Sequence, residues 1–148
     1  MVIKINKIKN GYYLLAGVLA ILFAVTHAWN GETTVLQALQ VNEAAMDTAV
    51  IFKYVWHIIT AENLVFGIIF IILSLQGEGA KARFAAWTIT SLLSVRLLVI
   101  LGITAVYDLS GLKDTFIDSI TILIYIAVNL LGMKVKKLES GGQVTSRR

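Results

Sequence analysis

Glu62 and Arg96 each stand near the middle of a long apolar run, where an ionised side chain is hardest to place. At hydrocarbon depth such a group costs about 2.5–3.5 kcal/mol on insertion scales and must turn inward, pair or meet water. Two charges of opposite sign at matching depth predict a buried ion pair inside a helix bundle, with Asn63 beside Glu62 as a further hydrogen-bonding partner. Such a pair can fix the register of two helices, or it can serve a ligand or a proton. A second group lies nearer one end of the same runs. His27, His57 and Asp118 come from three different runs, with Lys53 and Thr60 near His57 in sequence. Together they predict a small polar pocket open to one side. Two imidazoles and a carboxylate are also a ligand set for zinc or non-haem iron, and two histidines are a ligand set for haem. Spaced this far apart, the three residues form no local metal motif.

The elements that must position these residues are transmembrane helices. The chain has 148 residues, of which 57% are hydrophobic and 15% charged, with a mean hydropathy of +0.79. That is too little polar surface to solvate a globule, so most of the exterior must face lipid. A spanning helix needs about 20 apolar residues, and four runs qualify: residues 12–29, 50–75, 84–106 and 115–133. The reading is therefore all-α, a four-helix transmembrane bundle forming a single integral membrane domain over residues 1–148. The first run is read as a retained anchor rather than a cleaved signal, because it lacks a small-residue cleavage site and three more spans follow. The segment 30–49 reads as a solvated loop with a short capping helix, in which Val35, Leu36, Leu39 and Val41 make one or two amphipathic turns on the membrane surface. The tail 139–148 is polar and reads as disordered.

Basic residues set the orientation. Lys4, Lys7 and Lys9 precede the first span, Lys81 and Arg83 join the second to the third, and Lys134, Lys136 and Lys137 follow the fourth. The positive-inside rule puts both termini in the cytoplasm. Glu62 and Arg96 then fall at similar depth on consecutive antiparallel spans joined by a tight turn, which predicts that those spans are neighbours. On the second span Lys53, His57, Thr60, Gly67 and Ser74 share one stripe, Asn63 lies at its edge and Glu62 points the other way. That span must have neighbours on both sides, or Glu62 faces an oligomer interface. Gly17, Ala20 and Ala24 give the first span a small-residue face for close packing. Asn129 reads as an interhelical hydrogen-bonder. Thr88, Thr90, Ser91 and Ser94 read as bonding their own helix backbone or a neighbour.

Several chemistries are excluded outright. With no cysteine there is no disulfide exchange, thiolate nucleophile or iron–sulfur ligation. With no proline no span carries a proline kink. The net charge of +4 comes mostly from the chain ends and reads as membrane orientation, not nucleic-acid binding.

Gly17, His27 and Gly31, followed by Val55-Trp56-His57 and Thr60, resemble a set of small four-helix bacterial membrane proteins of unassigned function. That resemblance implies a bacterial inner-membrane location and no particular activity. His57 followed by Glu62-Asn63 is also similar to the H-x-x-x-x-E-N stretch of the membrane-associated eicosanoid and glutathione metabolism family. Arg83 and Arg96 compare with that family's third-span arginines. This second resemblance implies glutathione transfer at a site between subunits, although Tyr54, Val55 and Trp56 replace the basic residues that flank that family's motif. The expectation from the residues themselves is a binding or interaction protein with a polar pocket in the bundle, its partners the bilayer and, through Glu62, a second copy. A glutathione-transferase-like enzyme and a His-ligated metal or haem protein are the alternatives.

Overall fold

The computed structural model describes residues 8–41, 46–76 and 79–135. Lys4, Lys7, Lys136, Lys137 and the tail 139–148 lie outside the described residues, as do the side chains of Leu39 and Val41. The described elements are all helical. α1 (Gly11–Asn30) runs through a π-helical turn (Gly31–Val35) into α2 (Leu36–Val41). α3 (Met46–Gln76) and α4 (Ala80–Tyr107) follow, then a 3₁₀ turn (Leu109–Lys113) and α5 (Phe116–Lys134). Four helices are long and apolar enough to cross a membrane, the first counted from Gly11 to Ala38. Leucine, isoleucine, alanine and valine dominate them, and without proline no backbone N–H is lost from their interiors.

Of segment 30–49, the expected short helix is present as α2, but residues 31–35 are helical too where a loop was expected, and residues 42–45 lie outside the described residues. The chain stays helical to Val41, because Gly31 and Leu36 at either end of the π turn keep right-handed helical backbone angles. Thus α1 does not break to lie on a membrane surface but carries on as a rod beside α3. At 31 residues, α3 is about 46 Å long at 1.5 Å per residue. That exceeds a hydrocarbon core of about 30 Å, so α3 reaches well past the apolar slab.

Helix α1 packs along α3, α5 packs on both α1 and α4, and α3 approaches α4 closely over a short stretch alone. The spatial order is therefore α3, α1, α5, α4. The expectation that α3 and α4 are neighbours holds at the level of Glu62, Asn63 and Arg96, but they touch over a shorter stretch than α1 and α3. The physical reason is side-chain size. A Cβ on Gly17 would lie 2.7 Å from Ile71 Cγ1 and 2.9 Å from the Gly67 carbonyl, and one on Gly67 would lie 2.6 Å from Ile21 Cγ1. These two glycines let the α1 and α3 backbones touch, where dispersion and packing hold helices together in lipid. The flank of α3 toward α4 carries no such glycine.

The half of the bundle nearest the termini is solid. Tyr13, Ala16 and Ala20 of α1 meet Phe66, Phe70 and Leu73 of α3, Ala82, Ala86, Ile89 and Leu93 of α4, and Tyr125 of α5. Phe70 is fully buried, with the Tyr13 and Tyr125 rings 5.6 and 6.2 Å away. Asn10 locks this end. Its side-chain oxygen caps α1 by accepting from the Tyr13 N–H at 3.1 Å. Its amide donates to the Gly132 carbonyl of α5 at 2.8 Å, and its backbone N–H donates to Ser74 of α3 at 3.2 Å. One buried residue thus ties three helix ends.

At the opposite end the 3₁₀ turn joins α4 to α5. Asp108 accepts from the Ser110 hydroxyl at 2.6 Å, and its backbone carbonyl accepts from the Gly111 N–H at 3.0 Å. The Ser110 hydroxyl, helped by the Gly111 N–H, holds the Asp108 carboxyl below the usual carboxylate range. A Cβ at Gly111 would press on that carboxylate at 2.5 Å.

Candidate functional site

Away from the termini the bundle is hollow. A cavity of about 460 Å³ lies among the four spanning helices. Phe23 and His27 line it from α1, Trp56 and Asn63 from α3, Leu93 and Arg96 from α4, and Asp118 and Tyr125 from α5. The floor is the top of the packed core, since Leu93 and Tyr125 belong to both.

The α1–α3 wall is built around Trp56. Its indole stacks on the His27 ring, centroids 4.2 Å apart and planes at 15°. Its Nε1–H donates to the His27 carbonyl at 2.9 Å. That carbonyl also receives the Gly31 N–H, so the indole enters the helical ladder of α1 just where the π turn begins. Side-chain insertion of this kind is a recognised origin of helix irregularities, and π turns concentrate at functional sites. Gly31 lies directly against the indole ring, leaving no room for a Cβ. His27 Nδ1 and the Thr60 hydroxyl share a hydrogen bond at 3.0 Å, which fixes the imidazole in the wall.

Arg96 closes the α3–α4 side. One guanidinium nitrogen, Nη1, donates to Asn63 Oδ1 at 3.1 Å, and Nη2 donates to Glu62, forming an ion pair. The sequence placed these three side chains at one depth, and the structure brings them together. It differs in their burial. The Arg96 side chain is 20% exposed, but Glu62 is 47% exposed, because Glu62 sits on the outer flank of α3 where α4 stands off. The long arginine bridges a gap that the backbones do not close.

The expected outer pocket divides in two. His27 and Asp118 line the cavity and Thr60 holds His27 from behind. His57 and Lys53 do not line it. They turn to Glu32, His57 Nε2 at 2.8 Å and Lys53 Nζ at 3.1 Å from its carboxylate, and border a separate shallow groove with Tyr54 and Ile58. The cause is the helical continuation of α1, which carries Glu32 alongside α3. Reading residues 30–49 as a loop concealed Glu32. Its position is recoverable only once Gly31 is seen to pack on Trp56.

Among the described residues no three His, Asp, Glu or Cys side chains are grouped to hold an ion. The two histidines, expected together, point apart: His27 Nδ1 bonds Thr60 and its ring stacks on Trp56, while His57 Nε2 bonds Glu32. Nor do the fixed positions of the H-x-x-x-x-E-N stretch converge. His57 faces Glu32, while Glu62 and Asn63 face Arg96. Arg83 lies thirteen residues from Arg96 on α4, about 20 Å along the axis.

The smaller polar residues have packing roles. The Thr88 and Ser94 hydroxyls donate to carbonyls one turn back on α4, at 3.0 and 2.9 Å. The expected bonds of Thr90 and Asn129 are not seen among the described residues: the buried Thr90 hydroxyl has no hydrogen-bond partner there, and Asn129, fully buried on α5 one turn beyond Tyr125, makes no hydrogen bond to another helix. Comparison with protein-family models, curated proteins and solved structures gives no match for this chain.

Proposed function

We propose that this chain is a multi-pass protein of the cell membrane, in bacteria the inner membrane, that binds a small molecule in a chamber between its four helices. The observation that carries this reading is the cavity. At about 460 Å³ it falls within the 300–1,000 Å³ typical of ligand sites, which pair apolar walls with a few convergent polar groups. All four spans contribute to it, so a molecule bound there contacts the whole bundle. Both termini lie on the cytoplasmic side in this reading, supported by Lys9, Lys81, Arg83 and Lys134 at that end. The chamber then occupies the outer half of the membrane. Binding is favoured over group transfer because the Thr60 hydroxyl, the one paired with the His27 imidazole, does not itself line the chamber.

Native mass spectrometry of protein extracted in mild detergent tests the reading. The expected result is a small-molecule adduct on the wild type that is lost when Ile122→Phe fills the chamber, while peripheral lipid adducts persist. Identical adducts on both proteins would contradict it.

A further inference from the structure

The α3–α4 side of the chamber has donors to spare. Arginine carries five N–H groups, of which one serves Asn63 and one Glu62. Arg96 lines the chamber. Asn63 accepts through Oδ1, which leaves its amide nitrogen to donate, and this residue also lines the chamber. A ligand reaching that side therefore meets hydrogen-bond donors and needs an acceptor.

The charge balance decides which kind of acceptor. Arg96 is already neutralised by Glu62, and the other charged group on the lining is the carboxylate of Asp118. An anionic ligand would have to displace Glu62 or stand uncompensated in a low-dielectric site beside a second carboxylate. A neutral carbonyl oxygen accepts the same donors without that penalty. The walls add a shape. The stacked Trp56 and His27 rings form a flat face, and Phe23 meets Tyr125 edge-on with centroids 5.7 Å apart. Flat aromatic faces favour a planar head.

Access supplies the last property. The chamber borders the seam where α3 and α4 stand apart, and the ion pair spans that seam with Glu62 half exposed on the outside of the bundle. We propose that the chamber takes a neutral, lipid-soluble molecule with a planar, carbonyl-bearing head, which enters from the bilayer at this seam and accepts hydrogen bonds from Asn63 and Arg96. This inference rests on the chamber reading above.

Tryptophan fluorescence separates the two. Trp29 and Trp87 are exposed, and replacing both with Phe leaves Trp56 in the chamber wall as the sole reporter. The probe is 2-decyl-1,4-benzoquinone, added to this protein in lipid nanodiscs. Saturable quenching is expected, reversed by the neutral ketone decanophenone and not by decanoate. Asn63→Leu is expected to weaken binding about tenfold, the effect of one lost hydrogen bond. Should decanoate displace the quinone and decanophenone fail to, the neutral-carbonyl assignment falls while the chamber stands. Should quenching be non-saturable, or unchanged by Ile122→Phe, the chamber reading falls with it. The competition arm uses no substitution in the chamber, so it decides the ligand class even if Asn63→Leu fails to fold.

Discussion

Arg96 serves two partners, and their removal should have unequal consequences. Arg96→Leu leaves Glu62 charged at hydrocarbon depth with no counter-ion, a loss of about 3 kcal/mol on insertion scales. Glu62→Gln with Arg96→Leu removes both charges and should recover at least about 1 kcal/mol of that, because deleting one member of a pair costs more than replacing both. Thermal unfolding in detergent reads both values. Simple additivity of the single changes would mean that the two residues act independently. The pair was legible in the sequence because a charge inside an apolar run is conspicuous, and helical rise places it by depth. Glu32 was not, because an acid in a polar stretch looks like any solvated loop residue. Asn10 was missed for a similar reason. Its capping of α1 follows from its type, but its bonds to Ser74 and Gly132 join positions far apart in sequence.

The four spans could be read from apolar run length alone, since the bilayer fixes how long such runs must be. Which spans pack most closely could not. Chain adjacency placed α3 beside α4, where Arg96 does reach Glu62 and Asn63, but the closer contact of α1 with α3 depends on Gly17 and Gly67 meeting fifty residues apart. The π turn is likewise tertiary in origin, since it depends on the Trp56 indole reaching the His27 carbonyl. Gly31→Ala should therefore push the indole out of the wall and destabilise by about 1–3 kcal/mol, the usual range for overpacking. Adding Trp56→Phe should make Gly31→Ala less harmful than it is on the wild-type background. A thermal double-mutant cycle measures this coupling. Equal effects of Gly31→Ala on both backgrounds would show that the indole does not determine the turn.

At the scale of the whole molecule, the bundle divides into a packed half locked by Asn10 and a hollow half bounded by Trp56 and Arg96. The sequence carries part of this division: His27, Asn63, Arg96 and Asp118 all fall in the hollow half, whereas the packed half is built almost wholly of apolar side chains. The volume of the hollow is not legible there, because it depends on how the helices stand relative to one another. The absence of cysteine makes the division directly measurable by single-cysteine labelling in intact cells. Ile122→Cys lies in the chamber and Ala86→Cys in the packed core. With N-ethylmaleimide, which is lipid-permeant and so enters from the bilayer, Ile122→Cys should label and Ala86→Cys should not. Equal labelling of the two, or labelling of Ala86→Cys alone, would contradict the division of the bundle into a hollow and a packed half.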